Sequence, residues 1–446
     1  MFKTDKSYLS LIIAHIVIAI VIYYIPFFSK VYGYGILLYG LYYCLKQRNQ
    51  DNEVLYVAGY IVGSEVFLRM TNGNPIYEFS KYGVLTFIVI GMYFKGFSKY
   101  GTPYWLFLAL LIPGIVLATY VLNYETDIRK SISFNISGPL CLGISALYTY
   151  QRRITLKQLN DILLAIGLPV ITCTVYLMLY TPSIRDVITG TGSNFETSGG
   201  FGPNQVSTIL GLGMFIFFSR IIFGNASRIV IIVNVIVALN IGYRGLVTFS
   251  RGGMITALIM LIILAAITYM KINYRGRVKM NYLLVFFTMA LMAIWSYSAF
   301  ETGGLIEKRY ANQDARGRIK KSQFTGRETI VATEIKYFMD NPMFGIGVGK
   351  GAELRKSATG MTILSHNEIS RMLAEHGFFG ILALLILFAT PLFLYLDNKD
   401  NIYLLCFLLF WLLTINHAAM RLAAPAFVYA LSILKVIHEK TPVYRQ

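Results

Sequence analysis

The chain has 446 residues, of which 56% are hydrophobic and only 14% charged, with a mean hydropathy of +0.59. That balance excludes a soluble globular protein of this length and identifies an integral membrane protein. The net charge of +18 is carried mostly by short loops between apolar runs. This directs it to anionic headgroups and topology, and away from nucleic acid.

The chain opens with MFKTDKSYLSLIIAHIVIAIVIYYIPFF, a basic start followed by an apolar run with no small-residue cleavage site, which predicts an uncleaved first span. Further apolar runs predict spans near 32–45, 54–70, 82–94, 103–122, 138–150, 160–180, 204–219, 228–247, 252–270, 281–299, 367–396, 402–416 and 421–437. Several are short for a bilayer, so about 12–14 transmembrane helices are expected in an all-α integral membrane protein. Cys44, Cys141, Cys173 and Cys406 lie in or beside these runs with no CxxC pair, and read as core residues. His15 and Glu65, the main mid-span ionisable groups, read as satisfied bundle residues.

Lys and Arg divide about two to one in favour of the side holding the N-terminus, with Lys3, Lys440 and Arg445 counted there. Both termini are therefore expected in the cytoplasm. The expected organisation is N-terminal spans over 1–180, spans with a glycine-rich outer loop over 181–299, a periplasmic loop over 300–366 and C-terminal spans over 367–446. In the loop, GRETIVATEIKYFMD predicts an amphipathic helix with Ile330, Ile335, Phe338 and Met339 close to one face, lying on the membrane or the outer mouth of the bundle. After it, NPMFGIGVGKG stops the helix and supplies glycines at 345, 347, 349 and 351, which fits either a plain loop or a backbone cradle for phosphate or sugar.

With this topology Arg185, Arg244, Arg251, His366, His376, His417 and Arg421 all fall at or just inside the outer face. In TFSRGGM, Arg251 opens a span and two glycines follow. It reads either as an arginine snorkelling to the interface or as a guanidinium fork for a lipid-linked diphosphate. In TSGGFGPNQVS, Pro203 stands at a first helical position with Asn204 just after, a helix start that serves as a simple cap or offers N–H groups to an anion. In SHNEISRMLAEHGFFG, Ser365 and Glu368 are spaced as a capping box, which puts His366 in the first helical turn. A helix N-terminus disfavours imidazolium, and a neutral ring suits a general base that activates a hydroxyl. His376 is expected deeper, off that face, as a structural residue.

The last stretch resembles the outer-face helix of bacterial O-antigen ligases and their polymerase relatives: His366-Asn367, nine residues, then Gly377-x-x-Gly380. SRGG at a span start, the run from Arg327 through NPMFGIGVG, and GPN before the span at 204 are similar and occur in the same order, over roughly residues 185–396. The resemblance implies a C-type glycosyltransferase of the inner membrane. Its donor would be an undecaprenyl-diphosphate-linked glycan, and its acceptor a hydroxyl of lipid A core, a growing glycan or a protein, with no cofactor and no metal. His366 matches the family's essential histidine and Arg251 its arginine beside glycine; Arg185 is a loose counterpart of a further arginine. Asn204 and Arg244 join the expected diphosphate contacts, and Asn367, His376, Gly377, Gly380 and Arg327 the supporting set. A polysaccharide flippase or a non-catalytic scaffold is the competing class.

Overall fold

The computed structural model describes residues 5–223, 227–320, 327–361 and 363–437. Gly326, the first residue of the expected outer helix, and the cations Lys3, Lys440 and Arg445 lie outside them.

Among the described residues the protein is all-α apart from one short parallel pair of strands and an isolated antiparallel bridge between Gln313 and Ile319. The first half runs through α1 (Asp5–Tyr24), α2 (Phe27–Gln47), α3 (Glu53–Met70), α4 (Phe79–Lys95), α5 (Thr102–Val121), α6 (Ile128–Thr149) and α7 (Leu156–Tyr180). Next come α8 (Pro203–Phe223), α9 (Arg228–Leu246), α10 (Arg251–Lys271) and α11 (Tyr274–Glu301). Three short helices follow, α12 (Leu305–Tyr310), α13 (Arg327–Asp340) and α14 (Lys350–Thr359). The chain closes with α15 (Glu368–His376), α16 (Phe378–Asp397), α17 (Leu404–Ile415) and α18 (Ala423–Ser432). The strands β1 (Arg153–Thr155) and β2 (Lys435–Ile437) tie the start of α7 to the end of the described chain.

Among the described residues nine helices, α1, α5 to α11 and α16, are long and apolar enough to cross a membrane, so this is a multi-pass membrane protein. The other expected spans are helices too, but less suited to crossing by themselves. α3 carries Glu53, Glu65 and Arg69, α4 has 17 residues, and α17 and α18 have 12 and 10. These elements are buried against their neighbours, and all four cysteines are buried with them. His15 and Glu65 are satisfied as expected. His15 bonds Leu11 O and Tyr60 Oη, while Glu65 pairs with Arg69 at 2.8 Å and accepts from Ala423 N at 2.7 Å.

One span differs from expectation. Residues 367–396 do not form a single helix; the chain breaks at Gly377, whose φ of 58° and ψ of −135° suit glycine alone. A Cβ there would stand 2.6 Å from Met343 O. The break has a chemical reason: α15 carries Glu368, Arg371 and Glu375, which bond one another, whereas α16 is almost purely apolar.

The outer helix α13 forms where expected, but its buried contact is polar. Glu334 is its buried residue and accepts from Arg355 Nη1 at 3.0 Å, Ser365 Oγ at 3.1 Å and Ser370 Oγ at 2.6 Å. Ile335 and Met339 point away from the protein, 42% and 68% exposed. A buried carboxylate is costly unless fully bonded, so this cluster fixes the rotation of α13 more strictly than apolar contact would.

Candidate functional site at the start of α10

Helix α8 begins at Pro203, and the Asn204 carboxamide oxygen accepts from Ser250 Oγ at 2.8 Å, which joins the starts of α8 and α10. Phe249 holds a left-handed φ of 57°, a strained angle for an aromatic residue. Its carbonyl thereby accepts from Arg309 Nε at 2.8 Å. Arg251 opens α10, and its Nη1 donates to Arg309 O at 3.4 Å.

The two glycines after Arg251 serve helix packing. A Cβ on Gly252 would meet the His417 ring at 2.5 Å, and one on Gly253 would meet Ser207 O at 2.2 Å. His417 is fixed from both ends, with Nδ1 on Leu413 O at 2.9 Å and Nε2 on Thr208 Oγ1 at 3.3 Å. Arg327, at the start of α13, donates to His417 O at 3.3 Å.

These residues enclose a cavity of about 390 Å³ whose wall includes Asn204, Arg251, Arg309, Arg327 and His417. None of the described residues lining it is acidic. Arg309 and Arg327 lose proton affinity, first through burial and then through repulsion that includes Arg251. Lys320 is lowered as well, by burial and then by Arg309 and Arg251. Cations held this close favour an anion among them.

His366 is half-buried on the segment that leads into α15; it does not line the cavity, but two residues of the cavity wall, Arg327 and His417, act on its ring. Its carbonyl accepts from Ala419 N at 3.0 Å, and Arg421 Nη2 donates to the neighbouring Ser365 O at 2.6 Å. No described residue hydrogen-bonds its ring. Burial lowers the imidazole to about 4, helped by Arg421, Arg327 and His417. The neutral ring is thus present, but its cause differs from the expected one. The cap of α15 is Asn367, whose side chain accepts from Ile369 N and Ser370 N. Ser365 turns to Glu334 and Glu368 to Arg371, so the capping box does not form and His366 precedes the helix.

The remaining expected residues fall elsewhere. Arg185 is exposed and lies over the Phe300 ring at 4.5 Å. Arg244 is buried in the last turn of α9 and donates to Thr181 O at 3.0 Å. Neither lines the cavity. His376 is buried against Gly114 of α5, where its Nδ1 occupies the space a Cβ would need. Gly380 lets the start of α16 approach Met372 O. The amides of the glycine loop are consumed within the protein: Ile346 N reaches Ala374 O at 2.8 Å, Gly347 N reaches Glu375 O at 3.2 Å and Gly349 N reaches the Glu375 carboxylate at 2.9 Å. Of the two readings of that loop, the packed loop holds. Arg309 escaped the sequence reading because it lies five residues beyond the Gly303-Gly304 pair, in LIEKRY, which carries no motif; His417 was placed at the outer face without a role.

Residues 236–385 match the family model described as O-Antigen ligase. No curated protein matches the chain. The matched stretch covers about a third of the chain and holds Arg251, Arg309, Arg327 and His366; over it the protein is similar to O-antigen ligases, which supports a glycan-transferring enzyme of the membrane.

Proposed function

We propose that the protein transfers a glycan from undecaprenyl diphosphate to an acceptor hydroxyl at the periplasmic face of the bacterial inner membrane, with both termini cytoplasmic and lipid A core as the acceptor. The observation that carries this reading is the convergence of Arg251, Arg309 and Arg327 on one cavity with no acid among its described lining residues, two of whose wall residues, Arg327 and His417, act on the half-buried His366. The guanidiniums bind the diphosphate and stabilise the charge it gains on leaving. His366 takes the proton of the acceptor hydroxyl, whose oxygen bonds to the anomeric carbon as the bond from that carbon to the phosphate oxygen breaks. An arriving diphosphate also opposes the field of Arg327 and Arg421, which returns basicity to His366 when the donor is in place.

The test is transfer by the purified protein in vesicles with lipid-linked donor and lipid A core. His366→Ala should bind donor and lose roughly 10²- to 10⁴-fold in transfer. Product formation with a growing glycan or a protein acceptor, but none with core, would reassign the acceptor to a polymerase or protein glycosyltransferase. Export of glycan without covalent transfer would favour a transporter. A reporter fused near residue 330 should be active only when exported, and one at the C-terminus only when retained.

A further inference from the structure

A second cationic cavity lies at the opposite ends of the helices. It has a volume of about 400 Å³ and sits where α2 gives way to α3, α4 to α5 and α6 to β1. α3 separates the two faces. Its start at Glu53 adjoins this cavity, and its other end carries Arg69, which donates to Arg421 O at 3.5 Å on the His366 side. Eighteen helical residues span about 27 Å, close to the thickness of a hydrocarbon core.

Lys95, Arg152 and Arg153 line the cavity together with Asn52, Ser98 and Phe97. Arg152 is built in: its guanidinium lies 3.8 Å from the centroid of the Tyr148 ring, Nε donates to Tyr148 O at 2.9 Å and Nη2 to Gly96 O at 2.8 Å. Its Nη1 donates to no described residue. The side chains of Lys95 and Arg153 are exposed and have no ion-pair or hydrogen-bond partner among the described residues. The nearest acids in sequence, Asp51 and Glu53, are not part of the lining; Glu53 is buried and accepts from Asp51 N at 3.1 Å. Next to the cavity, Phe97, Tyr100 and Trp105 are 51%, 78% and 51% exposed, the pattern of side chains that sit at headgroup level.

We propose that this cavity binds the phosphate headgroup of an anionic phospholipid in the leaflet opposite His366. Two flexible cations and one pre-oriented guanidinium edge supply the charge, Asn52 and Ser98 supply polar contacts, and the aromatic rim sets the depth of the glycerol. The chemistry is that of a phosphate monoanion, and position at the end of apolar helices makes a lipid its source.

The experiment delipidates the full-length protein in detergent, adds vesicles of phosphatidylglycerol or phosphatidylcholine, and counts retained lipid by native mass spectrometry. One phosphatidylglycerol should be retained in preference to phosphatidylcholine, and Lys95→Ala/Arg153→Ala should weaken that retention at least about ten-fold. Both substituted side chains are exposed, and thermal unfolding of the variant checks that it folds; Lys95→Glu gives an independent charge reversal. Equal retention of the two lipids, or undiminished retention by the folded variants, would overturn the proposal. Displacement of phosphatidylglycerol by millimolar inorganic phosphate would overturn it in favour of a soluble anion.

Discussion

Gly252 and His417 share one volume: a single methyl on residue 252 would come within 2.5 Å of the imidazole Cδ2. The SRGG sequence therefore holds a ring that arrives from the loop after α17, as well as presenting Arg251. Gly252→Ala should displace His417 and lower transfer at least about ten-fold while the protein still accumulates, because a side-chain ring can give way. Gly253→Ala has no such escape, since the obstacle at 2.2 Å is the Ser207 backbone. It should lower the amount of folded protein in the membrane, read by detergent-resistant monodisperse yield.

The two histidines at either end of α15 should separate by role. His366→Ala is expected to lose roughly the 10²- to 10⁴-fold that a general base supplies, with donor binding intact. His376→Ala removes a side chain buried against α5 and should alter thermal stability more than the chemical step. Equal, mild losses of transfer in both variants would remove His366 from the proton path.

Arg309 gives a sharper test of the anion site than Arg251, because its guanidinium is already held by Phe249 O and Ser193 Oγ. Arg309→Lys keeps the charge but cannot keep both contacts and still face the cavity. Donor KM should rise about ten-fold or more, with a smaller change in transfer at saturating donor. An unchanged KM would assign Arg309 to packing.

Acidity should act through His366. In the free enzyme its imidazole is lowered to about 4, so it stays neutral as pH falls through 6.5, and kcat/KM should lose its acid limb only near 4. Bound diphosphate opposes the neighbouring guanidiniums, so the acid limb of kcat should lie at higher pH than that of kcat/KM. Stability has its own sign. The unfolded histidine takes a proton below about 6.5 while the folded one does not, so His366 makes folding less favourable as pH falls from there toward 4. Coincident limbs near 6.5 would show that neither burial nor the charges of Arg421 and Arg327 lower this ring.

Glu334 is the single buried anchor of α13. Glu334→Ala leaves Arg355 buried without its carboxylate and frees Ser365 and Ser370, and a loss of roughly 3–5 kcal/mol is expected for breaking such a pair. Because Ser365 adjoins His366, transfer should fall as well. Limited proteolysis around residues 327–340 would read the loosening directly.

Periodic features were legible in the sequence. Every predicted apolar run contains helix, α13 ends at Asp340 where its pattern does, and Pro203 and Arg251 open their helices. Features decided by partners far along the chain were not. Ser365 has the spacing of a capping residue, but Glu334, 31 positions earlier, takes its hydroxyl, and Asn367 caps instead. The break at Gly377 depends on a loop from Met343 to Gly345 packing into the corner, which hydropathy does not register. Arg309 enters the site through a strained backbone angle at Phe249, for which an aromatic residue gives no warning.

The reach of the family match can be set against the wall of the cavity. Residues 236–385 bring Arg251, Arg309, Arg327 and His366, but Asn204 and His417 lie outside them, and so does Arg421, which holds Ser365 in place. Arg421 is in turn held through its carbonyl by Arg69, and Ala423 through its amide by Glu65, both on α3. The matched stretch thus carries reactive groups whose spacing is set by a frame from the rest of the protein. A chimera that grafts 236–385 onto the helices of an O-antigen ligase would inherit the ingredients and lose their alignment, unless α3 and the turn before α18 travelled with them.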